Sequence, residues 1–348
     1  MPTASQRPNT KKPLILLVLL FLLASSMIAG VTIGTVTIHS WDIFVDSLFG
    51  RSPSTWQPWE ELILWRVRLP RVLIGVLVGG GLSLAGAVMQ GVFRNPMADP
   101  GIIGISGGAS LGAVVAIATG LASRWMLALP VCSFVVAVGC AFLVYTVSAA
   151  RGKSSIITLL LAGIAIGGIA SSLTSFVLTL SLDRWFVGQE IIRWLMGGFD
   201  GKTWTDVALA APLVLGCSGF LLLFSRDLNV MASGEEVAQS LGVDVPMSRA
   251  LVLTLATAVT AAAVSVSGTL VFVGLIVPHI LRLIVGAEHR MLMISSFLGG
   301  AILLVFADLL ARTILPAQEI RLGVLISLLG GPFFLYLLIA HKVRVEGV

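Results

Sequence analysis

The chain has 348 residues and a formal net charge of +5; 57% of its residues are hydrophobic and only 11% are charged. Soluble domains carry about 25% charged residues, so this composition excludes a soluble globular protein and indicates an integral membrane protein. Long runs of Ala, Leu, Val, Ile and Gly favour membrane helices over a barrel of alternating strands. The charge is mild and no basic stripe with interleaved aromatic residues is present, so we expect membrane lipid around the chain and no nucleic-acid partner.

The apolar runs match the length of helices that cross a bilayer, which need about 20 residues. Lys11 and Lys12 precede the first run, which is too long for a secretory signal core and therefore favours a transmembrane helix. We predict one all-α domain over 14–341, with tails at 1–13 and 342–348. Its ten spans lie at 14–38, 71–93, 100–121, 126–149, 156–180, 206–225, 248–267, 268–285, 291–312 and 322–341. Little polar sequence separates the seventh and eighth spans, so we expect a short turn between them.

An arginine cluster stands at the mouth of the second span: Arg66, Arg68 and Arg71. The span then carries Gly75 and Gly79, and glycines four residues apart allow helix backbones to approach closely in a membrane. Close packing explains the glycines. It does not explain the arginines, because a cluster of charged side chains beside lipid costs free energy unless those charges bind a partner.

The second span ends in a polar hairpin, residues 94–100. Gln90 and Asn95 are uncharged polar residues near this inner end, where they would either gate a pathway or cap the helix. Later in the chain, residues 147–154 contain Gly-Lys-Ser but lack the first glycine of a phosphate-binding loop, so we interpret this segment as a turn between spans.

The fifth span is rich in small residues, including Gly167, Ser171, Ser172 and Ser175. Small side chains on one helix serve close packing or line a pathway, and the sequence leaves both interpretations open. Cysteines lie in apolar runs without metal-binding spacing, so we interpret Cys132, Cys140 and Cys217 as packing residues.

The longest polar segment between spans is 226–247, and its pattern predicts a short surface helix. Ser233 is placed to cap it, with Glu235 and Glu236 in the first turn, where carboxylates offset the helix dipole. Val237 and Leu241 fall on one face. The segment is either an ordinary loop helix or a docking element for a cytoplasmic protein.

No catalytic cluster, metal-ligand set or cofactor motif is present, so we expect neither enzyme activity nor a bound cofactor in this chain. An ion-coupled carrier would place ionisable residues at mid-membrane depth. Only His279, Arg282 and Asp308 come near such a position, and the last two are expected close to span ends.

The distribution of Lys and Arg gives a weak preference for both termini in the cytoplasm. That orientation places several arginines outside, against the usual bias, where they would form a binding surface for an acidic partner. They are Arg66, Arg68, Arg71, Arg312 and Arg321.

Three blocks of sequence resemble a known family. The run RLPRVLIGVLVGGGLSLAGAVMQGVFRNPMADPGIIGISGGASLGA resembles the signature of iron-chelate and vitamin B12 importer permeases. GEEVAQSLGVDV and GTLVFVGLIVPHILRLIVG resemble that family's later blocks, and the similarity spans about residues 60–341 in the family's order. Arg321 is a departure, since many members carry Pro at that position.

This resemblance implies a type II ABC importer permease in a bacterial inner membrane, paired with a second copy around a central pathway. Two separate ATPase chains would bind below and a periplasmic binding protein would deliver substrate from above. The resemblance assigns docking to arginines of the RLPR and ARTI segments. It assigns coupling to the ATPase to the loop helix: Gly234, Glu235, Glu236, Val237, Ala238, Leu241 and Gly242. We expect an iron chelate, either a ferric siderophore or haem, as substrate; cobalamin, an ion-coupled carrier and a scaffold subunit remain alternatives.

Overall fold

The computed structural model describes residues 11–49, 56–149, 156–315 and 319–346, and this part of the chain contains helices and no β-strand. The all-α prediction is confirmed. The helices are α1 (Lys11–Thr32), α2 (Ser40–Phe49), α3 (Pro58–Leu62), α4 (Leu69–Val92), α5 (Ile105–Ala118), α6 (Leu121–Arg124), α7 (Ala128–Ala149), α8 (Ile156–Ser181), α9 (Trp185–Leu195), α10 (Trp204–Leu223), α11 (Ser225–Ala232), α12 (Glu235–Ser240), α13 (Val245–Ser267), α14 (Val273–Val285), α15 (His289–Thr313) and α16 (Leu322–Glu346).

Each of the ten apolar runs contains a helix. Within the described residues seven helical stretches are long and apolar enough to cross a membrane, and three apolar helices are shorter: α5, α14 and the apolar part of α16. Three parts of the predictions lie outside the described residues: 1–10 of the N-terminal tail, 150–154 of the Gly-Lys-Ser turn, and 347–348 of the C-terminal tail. The first three residues of that turn, 147–149, are the end of α7.

Two of the predicted boundaries move. α1 ends at Thr32 rather than at residue 38. The carbonyls at a helix end have no backbone N–H within the helix to bind, and here the Arg68 guanidinium donates to those of Val31 and Thr32. The second span begins earlier than predicted: α3, a π-helical turn at Ile63–Arg68 and α4 form one continuous stretch, Pro58–Val92. The arginine cluster therefore lies within a helix rather than at its start.

The turn between α13 and α14 is short, as predicted, but residues 268–272 are not helical. Gly268 and Phe272 both have positive φ angles, 71° and 68°. A Cβ on Gly268 would lie 2.3 Å from the carbonyl oxygen of Trp194, so glycine allows this turn to pack against the end of α9. α14 is left with 13 residues, about 20 Å, which is shorter than a bilayer core of about 30 Å.

α4 lies at the centre of the bundle and packs against α15, α13, α14 and α10. Its glycines make the closest crossings. A Cβ on Gly79 would lie 2.2 Å from the carbonyl oxygen of Gly300, and one on Gly86 would lie 1.8 Å from that of Gly274. The predicted packing role of the small residues is thus confirmed for α4.

The helices alternate in direction and leave two ends. We call one the α9 end; it holds α2, α3, α9 and the C-terminal turn of α15. The other, the α12 end, holds the 94–100 hairpin, α11, α12 and the start of α15. Lys12, at the start of α1, lies 3.5 Å from Glu288 at the α12 end.

Candidate functional site

Three of the five predicted docking arginines pair with carboxylates at the α9 end: Arg71, Arg312 and Arg321. Arg71 donates to both oxygens of Asp308 at 2.9–3.1 Å and to both oxygens of Glu319 at 3.0–3.2 Å. Asp308 is buried, whereas Glu319 is partly exposed. Charged pairs with this two-pronged geometry are strong and orient both partners. Arg71 therefore faces the surface with its guanidinium already occupied.

Arg68 and Arg312 are each only 4% exposed. Arg68 donates to the carbonyls of Val31 and Thr32 at 2.9 and 2.7 Å, and Arg312 donates to the carbonyl of Gly30. The Nε of Arg312 lies 3.7 Å from Asp308. In the isolated chain both arginines join the end of α1 to the bundle, and their role in docking stays a prediction.

Arg321 and Arg66 complete the predicted set. Arg321 donates to Asp200 at 2.7 Å. Burial alone would raise the pKa of Asp200, but the hydrogen bond and charge of Arg321 outweigh it and hold that pKa below its usual value. Arg66 is exposed, and among the described residues no hydrogen bond or ion pair joins it to the carboxylates that the others bind.

At the α12 end, α11 is fixed to three other parts of the bundle. Asp227 accepts a hydrogen bond from Ser248 of α13 at 2.9 Å. Asn229 accepts one from the backbone of His289, at the start of α15, at 2.8 Å. Arg94 of the hairpin donates to the carbonyl of Met231 at 2.6 Å. α11 is therefore a rigid platform at this end.

α12 stands on that platform and exposes its apolar ridge. Ala238 is buried in a small cluster with Met231 and Val245. Val237 is 44% exposed and Leu241 is 66% exposed. Glu235 pairs with Arg249 of α13, which holds the first turn in place. The predicted surface helix is present, with its apolar face free in the isolated chain.

One detail of the sequence interpretation was wrong. Ser233 ends α11 and does not cap α12; Gly234, with a φ of 133°, occupies the position before the helix. Gly242 follows α12 with a φ of 83°, a conformation that favours glycine. The two glycines set the short length of α12.

The predicted pathway residues fall into two groups. Gln90 is buried; it donates to the carbonyl of Leu275 at 3.2 Å and accepts from Arg282 at 3.0 Å, so here it joins α4 to α14. Asn95 is exposed and accepts a hydrogen bond from the backbone of Met97 at 2.9 Å.

α8 has two distinct faces. Gly167 lies against the backbone of α5, and Thr174 is buried. The opposite face exposes small residues that repeat at helical spacing: Gly168, Ser171, Ser172, Ser175 and Thr179. This exposed stripe matches the predicted serine face.

Sequence reasoning missed the carboxylates that complete the α9 end. Asp308 is four residues before Arg312 on α15, a spacing that signals a pair on one helix face. No comparable signal marks Glu319 or Asp200, because each lies in a loop far in sequence from its partner. The platform contact of Asn229 with His289 was missed for the same reason.

The family model described as the FecCD transport family matches residues 16–340 of this chain. The cobalamin import permease BtuC of Halobacterium salinarum is 45% identical over 287 residues, which are 82% of this chain and 75% of that protein. The hemin transport permease HmuU of Yersinia pestis is 36% identical over 95% of this chain and 96% of its own length. The Fe(3+) dicitrate permease FecD of Escherichia coli is 39% identical, covering 82% of this chain and 89% of FecD.

A solved structure described as an inward-facing conformation of a metal-chelate type ABC transporter has a similar fold. Its TM-score is 0.81 at 33% identity, covering 94% of this chain and 99% of that one.

Proposed function

The chain belongs to the FecCD transport family and is a multi-span permease subunit of an ABC importer, and from this premise we propose that it passes an iron chelate into the cytoplasm. The chelate would be a ferric siderophore or haem. The family match over nearly the whole chain is the observation that carries this proposal. The resemblance seen in the sequence is confirmed at the level of the family.

The substrate proposal is supported by relatives named for hemin and Fe(3+) dicitrate, the first of which aligns with 95% of this chain. Cobalamin is the second candidate. It is favoured by the cobalamin permease, which has a higher identity of 45% over a shorter alignment.

We propose that the α12 end faces the cytoplasm of a bacterial inner membrane, with both termini on that side. The proposed partners are two ATPase chains at this end, a second permease copy, and a periplasmic binding protein at the α9 end. ATP hydrolysis would belong to the separate ATPase chains.

Docking of the binding protein is proposed at the arginines of the α9 end. Arg66, Arg71 and Arg321 retain exposure and would meet acidic side chains directly. Arg71 carries Glu319 in the isolated chain, so an acidic side chain of the partner would replace a carboxylate that is already bound. Arg68 and Arg312 would support this surface by fixing α1 and α15 behind it.

Coupling to the ATPase is proposed at α12. Its exposed Val237 and Leu241 supply an apolar anchor, and interface anchors of this kind commonly carry much of the binding energy. Because α12 stands on α11, a push on α12 would reach α13, α15 and the 94–100 hairpin through the platform contacts.

The translocation pathway is proposed between two permease copies along the exposed small-residue stripe of α8. A wide passage lined by small groups suits a bulky chelate that the permease need not hold tightly. Gln90 and Asn95 would lie near its cytoplasmic end.

The function is tested by transport into liposomes that contain the permease with its ATPase chains. Haem, a ferric siderophore and cobalamin are supplied in turn with the cognate binding protein, with ATP inside and with ionophores that collapse ion gradients. We expect chelate uptake that requires ATP and is unaffected by the ionophores. Uptake of cobalamin alone would establish the second candidate, and uptake driven by an ion gradient without ATP would overturn the importer.

A further inference from the structure

Three cavities follow one another along the groove beside α7 and α13. The first, at the α9 end, has a volume of about 190 Å³ and is lined by Leu129 and Ser267. The second, about 80 Å³, begins at Pro130 and Val266. The third, about 230 Å³, shares Phe134 with the second. Because α7 and α13 run in opposite directions, these residues descend together from the α9 end into the bundle.

The first cavity is polar and carries groups that lack partners. Trp194 lines it, is 8% exposed, and its Nε1–H has no acceptor among the described residues. This nitrogen is itself buried and does not open into the cavity, so the polar groups that a ligand could reach are the charged side chains of the lining. Four charged residues also line the cavity: Glu190, Arg193, Asp200 and Lys202. Asp200 pairs with Arg321 and Lys202 with Asp206. Glu190 and Arg193 are exposed, and neither makes a hydrogen bond or ion pair in the part of the chain that the structure describes.

The other two cavities are apolar. The third is lined mainly by aliphatic and aromatic side chains, among them Val138, Phe142 and Leu159. The groove therefore begins in a polar cavity lined by acidic and basic residues and continues into two apolar cavities. That order matches a phospholipid with a zwitterionic headgroup.

The first cavity lies at the level of the membrane surface. Trp125 and Trp204 are about half exposed and stand just before α7 and at the start of α10, and tryptophans mark the boundary between lipid and water. Leu129 to Tyr145 on α7 spans about 24 Å, long enough for an acyl chain.

We propose that this groove binds one phospholipid with an ethanolamine headgroup. Its phosphate accepts from Arg193, and its ammonium group lies at the Glu190 carboxylate. One acyl chain follows the second and third cavities.

The test uses the full-length chain purified with its partner chains in a mild detergent. The complex is equilibrated with micelles that contain equal amounts of phosphatidylethanolamine, phosphatidylglycerol and phosphatidylcholine. Retained lipid per chain is then measured by mass spectrometry after washing. We expect about one phosphatidylethanolamine per chain, in excess of the other two lipids.

Variants then separate headgroup from tail. Arg193→Gln should lower retention about tenfold, since it removes a charge-assisted hydrogen bond to the phosphate. Ala258→Phe should lower retention by filling the third cavity. Arg124→Gln is the matched control, an exposed arginine at the same end that does not line the groove, and should retain lipid fully.

Several outcomes would overturn the proposal. If phosphatidylglycerol is retained as well as phosphatidylethanolamine, Glu190 does not select the ammonium group and the proposed headgroup is wrong. Unchanged retention in Arg193→Gln, or displacement of the lipid by free phosphoethanolamine at equal concentration, would show that the groove does not bind an intact phospholipid. Arg193 is exposed, so its variant is expected to fold, and the measurement does not depend on the transported substrate.

Discussion

Gly86 shows how strictly a single position limits the side chain in this bundle. A Cβ there would lie 1.8 Å from the carbonyl oxygen of Gly274 and 2.6 Å from its Cα. Both are backbone atoms, which cannot rotate away as a side chain can. The crossing of α4 and α14 therefore requires the absence of a side chain.

We expect Gly86→Ala to lower the free energy of unfolding by at least about 1–3 kcal/mol, because α4 and α14 must separate to admit the methyl group. Thermal unfolding in detergent measures the loss. Gly139→Ala is the control, since Gly139 is also helical and a Cβ there meets nothing within 4 Å. Equal melting temperatures for the two variants would contradict the close crossing.

Glu319 bears on docking at the same scale. We expect Glu319→Gln to speed association of the binding protein by roughly several-fold at low salt, because Arg71 would lose one of its two carboxylates and attract an acidic partner more strongly. Stopped-flow binding at low and high salt measures the effect, which should fade as salt screens it.

Glu61→Gln serves as the control for this variant, because Glu61 is exposed at the same end and lies outside the arginine cluster. If both variants bind the partner at the same rate, Glu319 does not compete for Arg71.

Among elements, those with a strong apolar period were predictable and the short ones were not. The ten apolar runs all contain helices because burial in lipid or protein leaves the backbone no other way to satisfy its hydrogen bonds. α2 and α9 were missed, since each is a short helix of mixed composition whose position depends on contacts far along the chain. The short turn after the seventh span was predicted, but its extent over residues 268–272 was not, because these residues are apolar and only the packing of Gly268 against α9 explains why they leave the helix.

The candidate site divides along the same line. α12 was predictable from local signals, namely acidic residues in a first turn and an apolar pair four residues apart. The pairing of Arg71 with Asp308 and Glu319 was not predictable. These carboxylates lie 237 and 248 positions after Arg71 in the sequence and meet it only in the folded bundle.

We expect the double substitution Val237→Asp and Leu241→Asp to release the ATPase chains while the bundle keeps its melting temperature. Both side chains are exposed, so the loss falls on the interface, and each apolar anchor is worth about 1–3 kcal/mol or more. Co-purification of the ATPase chains measures the effect.

Gln239→Asp is the control, because it adds one negative charge, half that of the double variant, to the opposite face of α12. A double variant that still purifies with its ATPase chains, and whose hydrolysis still responds to the binding protein, would exclude α12 as the coupling element.

For the whole molecule, the exposed stripe of α8 is proposed to line the pathway between two assembled copies, and this can be tested by cysteine labelling. After Cys132, Cys140 and Cys217 are replaced, a cysteine at Ser172 or Ser175 should react with aqueous thiol reagents in one nucleotide state and be shielded in another. Thr174→Cys is the control on the buried face and should stay unreactive throughout. Protection of Ser172→Cys and Ser175→Cys in every state would assign the stripe to packing.

The unbroken helix from Pro58 to Val92 has a consequence for energetics. Its part from Arg71 to Val92 spans about 32 Å and leads directly into Arg94, which binds the carbonyl of Met231 at the α12 end. A displacement at either end is thus imposed on the same stiff rod. With the binding protein and the ATPase chains at the proposed ends, thermodynamic linkage requires reciprocity: the factor by which ATP changes the Kd for the binding protein must equal the factor by which the binding protein changes the Kd for ATP.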